Sequence, residues 1–144
     1  MNRRALLALA VLLLLPGCAS VGSQPQRECL HRNEPVENDI GFCHALRAGK
    51  TLYVSGVTGQ GDMPSAIRSV YARLKQTLEA SGLSFANVVK ETVFATDLDA
   101  FIQNKGIRKE FYGQSFPAAT WVQVQRLYLP SFVLEVELTA EYPK

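Results

Sequence analysis

Glu135 and Glu137 lie in the run Phe132 to Glu141, where Phe132, Leu134, Val136, Leu138 and Ala140 alternate with Val133, Glu135, Glu137, Thr139 and Glu141. A period of two makes this a strand with one face toward a core, and it sets both carboxylates together on the opposite face. Paired carboxylates can share a proton or hold a water for hydrolysis. For Glu137 the competing reading is a side chain that only hydrogen-bonds within the sheet. His31 and His44 are the two histidines, and neither belongs to a recognisable metal spacing. His44 adjoins Cys43, but neighbours on a strand point to opposite faces, which argues against a Cys/His nucleophilic dyad. No Ser-His-Asp order, phosphate loop or dinucleotide fingerprint occurs, so no metal and no cofactor is expected.

The cysteines carry a second chemistry. Arg3 and Arg4 precede the 11-residue apolar run Ala5 to Leu15, which leads into Pro16-Gly17-Cys18. That run is short of the ~20 residues a membrane-crossing helix needs, and its flanks are those of a secretory signal. Leu15-Pro16-Gly17-Cys18 resembles a bacterial lipobox, whose cysteine is acylated and becomes the mature N-terminus. On this reading residues 1–17 are a lipoprotein signal peptide and 18–26 a flexible tether of small polar residues. Residues 27–144 then form the folded domain. Two or three acyl chains on Cys18 anchor stably, at ~0.8 kcal/mol per buried methylene. The protein is then expected in the bacterial cell envelope, outside the cytoplasm. Ala19, where many inner-membrane lipoproteins carry aspartate, favours the periplasmic face of the outer membrane. The alternative is an ordinary signal peptide with an incidental cysteine. Cys29 and Cys43 are left in an oxidising compartment, either as a disulfide contributing at most roughly 3 kcal/mol or as two reduced core cysteines.

Cleavage before Cys18 would remove 17 of 144 residues, leaving enough chain for one domain with a real core and too little for two. It would also remove Arg3 and Arg4, taking Lys plus Arg from 15 to 13 against 13 Asp plus Glu. A balanced chain with no basic stretch is not built to neutralise a run of phosphates, so nucleic acid is not an expected partner.

The elements that must position these residues follow from periodicity. A first strand is expected over Glu28 to Arg32, a second over Phe42 to Arg47 and a third over Thr51 to Ser55, the last two joined at Ala48-Gly49-Lys50. Asp62 can cap a helix with Pro64 in its first turn, and Ile67, Val70, Tyr71, Leu74 and Leu78 recur at helical spacing until Ser81-Gly82. A β-rich stretch, Val88 to Thr96, precedes a second helix capped by Asp97 or Asp99. That helix has Phe101, Arg108, Phe111 and Tyr112 along one side, Gly106 within it, and its end at Gly113. Two more strands complete the order β-β-β-α-β-α-β-β, in which the helices can cover one sheet face.

Three segments resemble the reactive-intermediate deaminase family, also called Rid or YjgF-like: Leu52 to Gly56, Val88 to Asp97, and Phe116 to Val124 with its continuation to Glu137. The resemblance covers about Asp39 to Tyr142. It implies an α+β, chorismate-mutase-like fold, a mixed sheet with two helices on one face, and a homotrimer around a central barrel with three intersubunit clefts. Members with deaminase activity hydrolyse enamines and imines, such as 2-aminoacrylate and its imine tautomer, to a keto acid and ammonia. The family assigns an arginine to the substrate carboxylate, a glutamate to a water, and backbone near a serine-glycine turn to the substrate. Here Glu135 matches the glutamate and Gly56 the glycine, while the proline-alanine-arginine step reads Pro117-Ala118-Ala119. Phe42 stands where many members have tyrosine, and Trp121 where many have cysteine. Arg126 has the wrong parity to replace the lost cation, and Lys105 follows an asparagine, Asn104, shifted by one position from the family's.

A charge-assisted arginine-carboxylate pair contributes ~1.5 to 3 kcal/mol, so its loss should lower activity on small carboxylated imines at least ~10-fold. The expectation is an envelope-anchored, trimeric protein that binds a small, apolar or aromatic molecule and has lost most imine deamination. One alternative is a hydrolase that keeps Glu135 as the residue holding water. The other is a structural or stress-related envelope component whose cleft Trp121 closes. For Trp121 itself, a changed cleft competes with a residue that only fills the volume of the missing arginine, and either leaves the pocket more apolar than in the deaminases.

Overall fold

The computed structural model describes residues 26–143. The segment expected to be a signal peptide, Cys18 and nearly all of the expected tether lie outside the described residues. Strand β1 (Arg27–Leu30) is followed by helix α1 (Glu34–Ile40), β2 (Ala45–Ala48) and β3 (Thr51–Gln60). Helix α2 (Met63–Ala80) leads through a 3-10 turn (Phe85–Asn87) to β4 (Val88–Ala95), then α3 (Leu98–Gln103), α4 (Lys105–Tyr112), β5 (Ala118–Gln123) and β6 (Phe132–Glu141). The six strands form one mixed sheet in the order β1-β2-β3-β6-β4-β5, antiparallel throughout except that β5 lies parallel to β4 at one edge.

Alternation in β6 does what its pattern dictates. Leu134, Val136, Leu138 and Ala140 are buried under the helices, and Glu135 and Glu137 look out from the other face. The stripe of α2 supplies the opposing layer through Ile67, Val70, Tyr71, Leu74 and Leu78, all fully buried, each stabilising the fold by roughly 1.5–3 kcal/mol. Asp62 caps α2 by accepting the Ser65 backbone N–H at 2.9 Å, with Pro64 in the first turn, as the sequence predicts.

Three expectations need correction. The single helix expected after β4 is two, broken at Asn104, whose side-chain amide donates to the Ala100 carbonyl at 2.8 Å two residues before Gly106. Strand β3 runs on to Gln60, because its pairing with β6 resumes beyond an irregularity between Val54 and Val57. Helix α1 stands where the sequence suggested only strand and connection, and it shortens the second strand to Ala45–Ala48. It lacks an apolar stripe because it is organised around a buried carboxylate. Glu37, 3% exposed, accepts the backbone N–H of Arg32 at 2.9 Å and of Asn33 at 2.7 Å, and pairs with His31 Nδ1 at 2.6 Å. Burial opposes ionisation of Glu37, but these donors outweigh it and hold its pKa down at about 2. Gly41, at φ +88°, closes the helix in the left-handed region, and a Cys29–Cys43 disulfide ties the same lobe together.

Candidate functional site

On the sheet face away from α2, β3 leaves its ladder with β6 between Val54 and Val57, so Ser55 and Gly56 stand outside the pairing. The Ser55 backbone N–H donates to the His44 carbonyl at 3.0 Å and its hydroxyl to the Cys43 carbonyl at 2.6 Å, fixing this bulge against the start of β2. Any side chain at Gly56 would overlap Glu135 Oε1, so the glycine is what allows the carboxylate to lie over the β3 backbone. Glu135 is half-buried; burial, and then the charge of Glu137, raise its pKa above the ordinary carboxylate range. Such a carboxylate can orient a water and take up its proton. Phe42, 39% exposed, lines an open cavity of about 610 Å³ with His31, Tyr53 and Ser55. Glu137 borders a smaller depression of about 220 Å³ with Tyr53, Lys90 and Thr92.

Ala119 and Trp121 belong to the other face. In the parallel ladder Ala119 is the partner of Glu91 and Trp121 of Val93, and Glu91 and Val93 are fully buried beneath the helices. Glu91 is a core carboxylate with four donors. Tyr71 and Tyr112 hydroxyls donate to Oε2 at 2.9 and 2.6 Å, while Arg108 Nε and Trp121 Nε1 donate to Oε1 at 2.7 and 3.2 Å. Burial, then the Glu91 charge, push both tyrosines well above their ordinary range, so they remain donors. Burial works against charge on Arg108, but Glu91 outweighs it and the guanidinium titrates even higher than usual. The Trp121 indole also meets Phe101 edge-on at 5.1 Å.

One chain therefore brings Phe42, Gly56 and Glu135 to one face and Ala119 and Trp121 to the other. Trp121 turns inward, with its N–H on Glu91, so within one chain it does not close the cavity beside Phe42. Lys105 Nζ donates to the Ile102 carbonyl at 3.2 Å, and Arg126 Nη2 to the Tyr128 carbonyl at 3.3 Å; both lie on exposed local contacts. His44 Nε2 bonds Thr77 Oγ1 at 2.8 Å, and burial lowers its pKa. No group of three or more metal-ligating side chains occurs among the described residues. Sequence reasoning missed the Glu91 cluster. Its signal was present: Glu91 has the core parity of Val93 and Ala95, and Arg108 interrupts the apolar side of its helix.

The family model described as Endoribonuclease L-PSP matches residues 33–142, and the chain belongs to that family, the Rid/YjgF-like family. It is 35% identical over 118 residues to a RutC family protein of Pyrococcus horikoshii, covering 74% of this chain and 92% of that one. It is 29% identical over 108 residues to the 2-iminobutanoate/2-iminopropanoate deaminase of Homo sapiens, covering 69% and 78% respectively. The fold matches the crystal structure of a YjgF-family member from Mycobacterium tuberculosis with a TM-score of 0.75 at 25% identity, over 81% of this chain and all of that one. Yeast Mmf1 matches with a TM-score of 0.67 at 27% identity, over 72% and 88%. The α+β mixed sheet with helices packed on one face is thus the family's fold.

Proposed function

We propose that this chain is a small-molecule-binding Rid-family protein of the cell envelope, lipid-anchored through Cys18, in which deamination of small 2-imino acids is strongly reduced. The observation that carries this reading is Ala119: the exposed edge-strand position beside Glu91 bears a methyl group where the family's deaminases bear a guanidinium. Glu135 and Gly56, on the opposite face of the same sheet, retain the half that would hold a water. Because the halves lie on opposite faces, a complete cleft needs the open face of one subunit against the β5 edge of the next, as in a homotrimer.

Hydrolysis of an imine needs water delivered to the carbon, a proton moved from that water to nitrogen, and ammonia released. Glu135 is suited to the first two. A substrate carboxylate left without its clamp forfeits ~1.5 to 3 kcal/mol of transition-state positioning, or roughly 10- to 150-fold in rate. A second reading, a hydrolase acting on a different imine or enamine, draws support from the raised pKa of Glu135. The balanced charge of the predicted mature chain favours a small molecule over RNA.

The test is 2-iminopropanoate hydrolysis, with the imine generated in situ by an amino-acid oxidase and the human deaminase run in parallel. Wild type should turn over at least ~10-fold more slowly, and Ala119→Arg with Trp121→Cys should gain activity. Wild-type turnover equal to the human enzyme overturns the reading. Anchoring is tested separately: Cys18→Ala should leave unprocessed, unlipidated precursor, and normal membrane attachment of that variant would refute it.

A further inference from the structure

Arg108 is a buried cation with much of its hydrogen-bonding capacity unused. Its side chain is 6% exposed and sits against two aromatic rings, with Cζ 4.5 Å from the Tyr112 centroid and 5.3 Å from that of Trp121. Nε is occupied by Glu91 at 2.7 Å. Nη1 and Nη2 have no partner among the described residues, although no buried side-chain nitrogen or oxygen there is left unsatisfied. The outer fork of the guanidinium is therefore the part that meets solvent. Its plane is held by Glu91 and by the flanking rings, so little rotamer freedom remains to be lost when something binds.

Strand β5 is the element next to this cluster at the sheet edge. Glu91, which anchors Arg108, is the ladder partner of Ala119, and neighbouring strands lie about 4.8 Å apart. Ala119 is exposed at the sheet edge on the same face as Glu91, and it carries only a methyl group there. The indole of Trp121, two residues on, has the same parity and supplies an apolar wall.

We propose that Arg108, reached past Ala119 and beside Trp121, is a carboxylate-binding site: Nη1 and Nη2 donate two parallel hydrogen bonds to an acid carried on an apolar body. The inference rests on the reading of this protein as a small-molecule binder and names the class of molecule. A monocarboxylate is favoured over a dianion, because Glu91 already cancels the charge of Arg108 and one bound carboxylate leaves the cluster at minus one. The acid is gripped from helix α4, not from strand β5, and a bulky residue at position 119 would block it.

Trp121 is the only tryptophan, so its indole N–H gives a single resonance beside the site and serves as the reporter. Benzoate titrated into the full chain should shift that resonance saturably, while the neutral isostere benzamide should bind at least ~10-fold more weakly. Arg108→Gln combined with Glu91→Gln removes the ion pair without leaving a buried unpaired charge, and should weaken benzoate at least ~10-fold while thermal unfolding stays cooperative. Ala119→Leu, at an exposed position, should also abolish the shift with the Arg108–Glu91 pair intact. Equal responses to benzoate and benzamide, no saturable response in wild type, or unchanged benzoate binding in the double variant would each overturn the proposal. The site uses residues of one chain, so it would survive a monomeric state or a fully active deaminase, either of which would count only against the reading of the cleft.

Discussion

Removing the Cys29–Cys43 bridge should cost about 3 kcal/mol of stability. The bridge joins residues 14 apart, and the chain-entropy relation for a loop of that size gives ~3 kcal/mol at 25 °C. Little else fixes β1: it is a four-residue edge strand paired on one side only, to β2, and the lobe behind it hangs on the carboxylate of Glu37. For a domain of roughly 120 residues, 1 kcal/mol moves Tm by about 3–5 °C, so the shift should be near 10–15 °C if the lobe unfolds with the rest. Calorimetry of Cys29→Ser with Cys43→Ser, beside wild type with and without dithiothreitol, provides the comparison. Reduced wild type and the double variant should coincide. Limited proteolysis below Tm should cut the double variant and wild type with the same pattern but the variant faster, since the lobe and the core are expected to unfold together. A Tm unchanged within about 2 °C, or two titratable thiols in the native, unreduced protein, would refute the reasoning.

Glu37 should give the lobe an acid limit. Its folded pKa of about 2 lies below the ordinary 4.5, so its contribution is present above the ordinary value and is lost as pH falls from about 4.5 toward 2. Allowing for screening in a thin lobe near solvent, Glu37→Gln should flatten the stability of the protein over that window by on the order of 1–2 kcal/mol, read from urea midpoints at pH 6 and 3; parallel losses in both proteins would contradict this. Gly56→Ala should cost about 1–3 kcal/mol, because the added Cβ displaces the Glu135 carboxylate. Adding Glu135→Ala should recover most of that loss, and strict additivity in the double-mutant cycle would show that the overlap is not its cause.

What the sequence disclosed was whatever periodicity writes into it. The core face of β6, the stripe of α2 and its Asp62 cap repeat at fixed spacing, and they stand where the pattern puts them. Helix α1 has no such pattern, since a buried glutamate and a proline in the first turn organise it and its faces carry no apolar repeat. The family's step at Pro117-Ala118-Ala119 exposed the missing cation, but not what stands beside it. Lys105 and Arg126 stand out as replacements in the sequence because they lie near motif positions in the chain. Arg108 reads as one member of an apolar helix side, because cross-strand pairing, which alone sets Glu91 next to Ala119, cannot be read along a single segment.

That adjacency supplies a physical reason for alanine at 119. A guanidinium introduced there would project from the ladder partner of Glu91 toward the same carboxylate that already holds Arg108. Two cations about 4 Å apart repel by ~4 kcal/mol at an effective dielectric of 20, and Glu91 can fully neutralise only one of them. Part of that cost would be relieved by turning the new side chain into solvent, so Ala119→Arg alone should destabilise the fold by about 1–3 kcal/mol. Arg108→Met in the same chain should restore stability, since Met fills the space between the rings while the introduced guanidinium takes over Glu91. Urea unfolding of wild type, both single variants and the double variant measures the coupling. Arg108→Met alone should be the least stable of the four, because it leaves Glu91 charged and without its cation. If the two substitutions proved additive, residues 119 and 108 would not compete for one carboxylate, and the alanine would need a different cause.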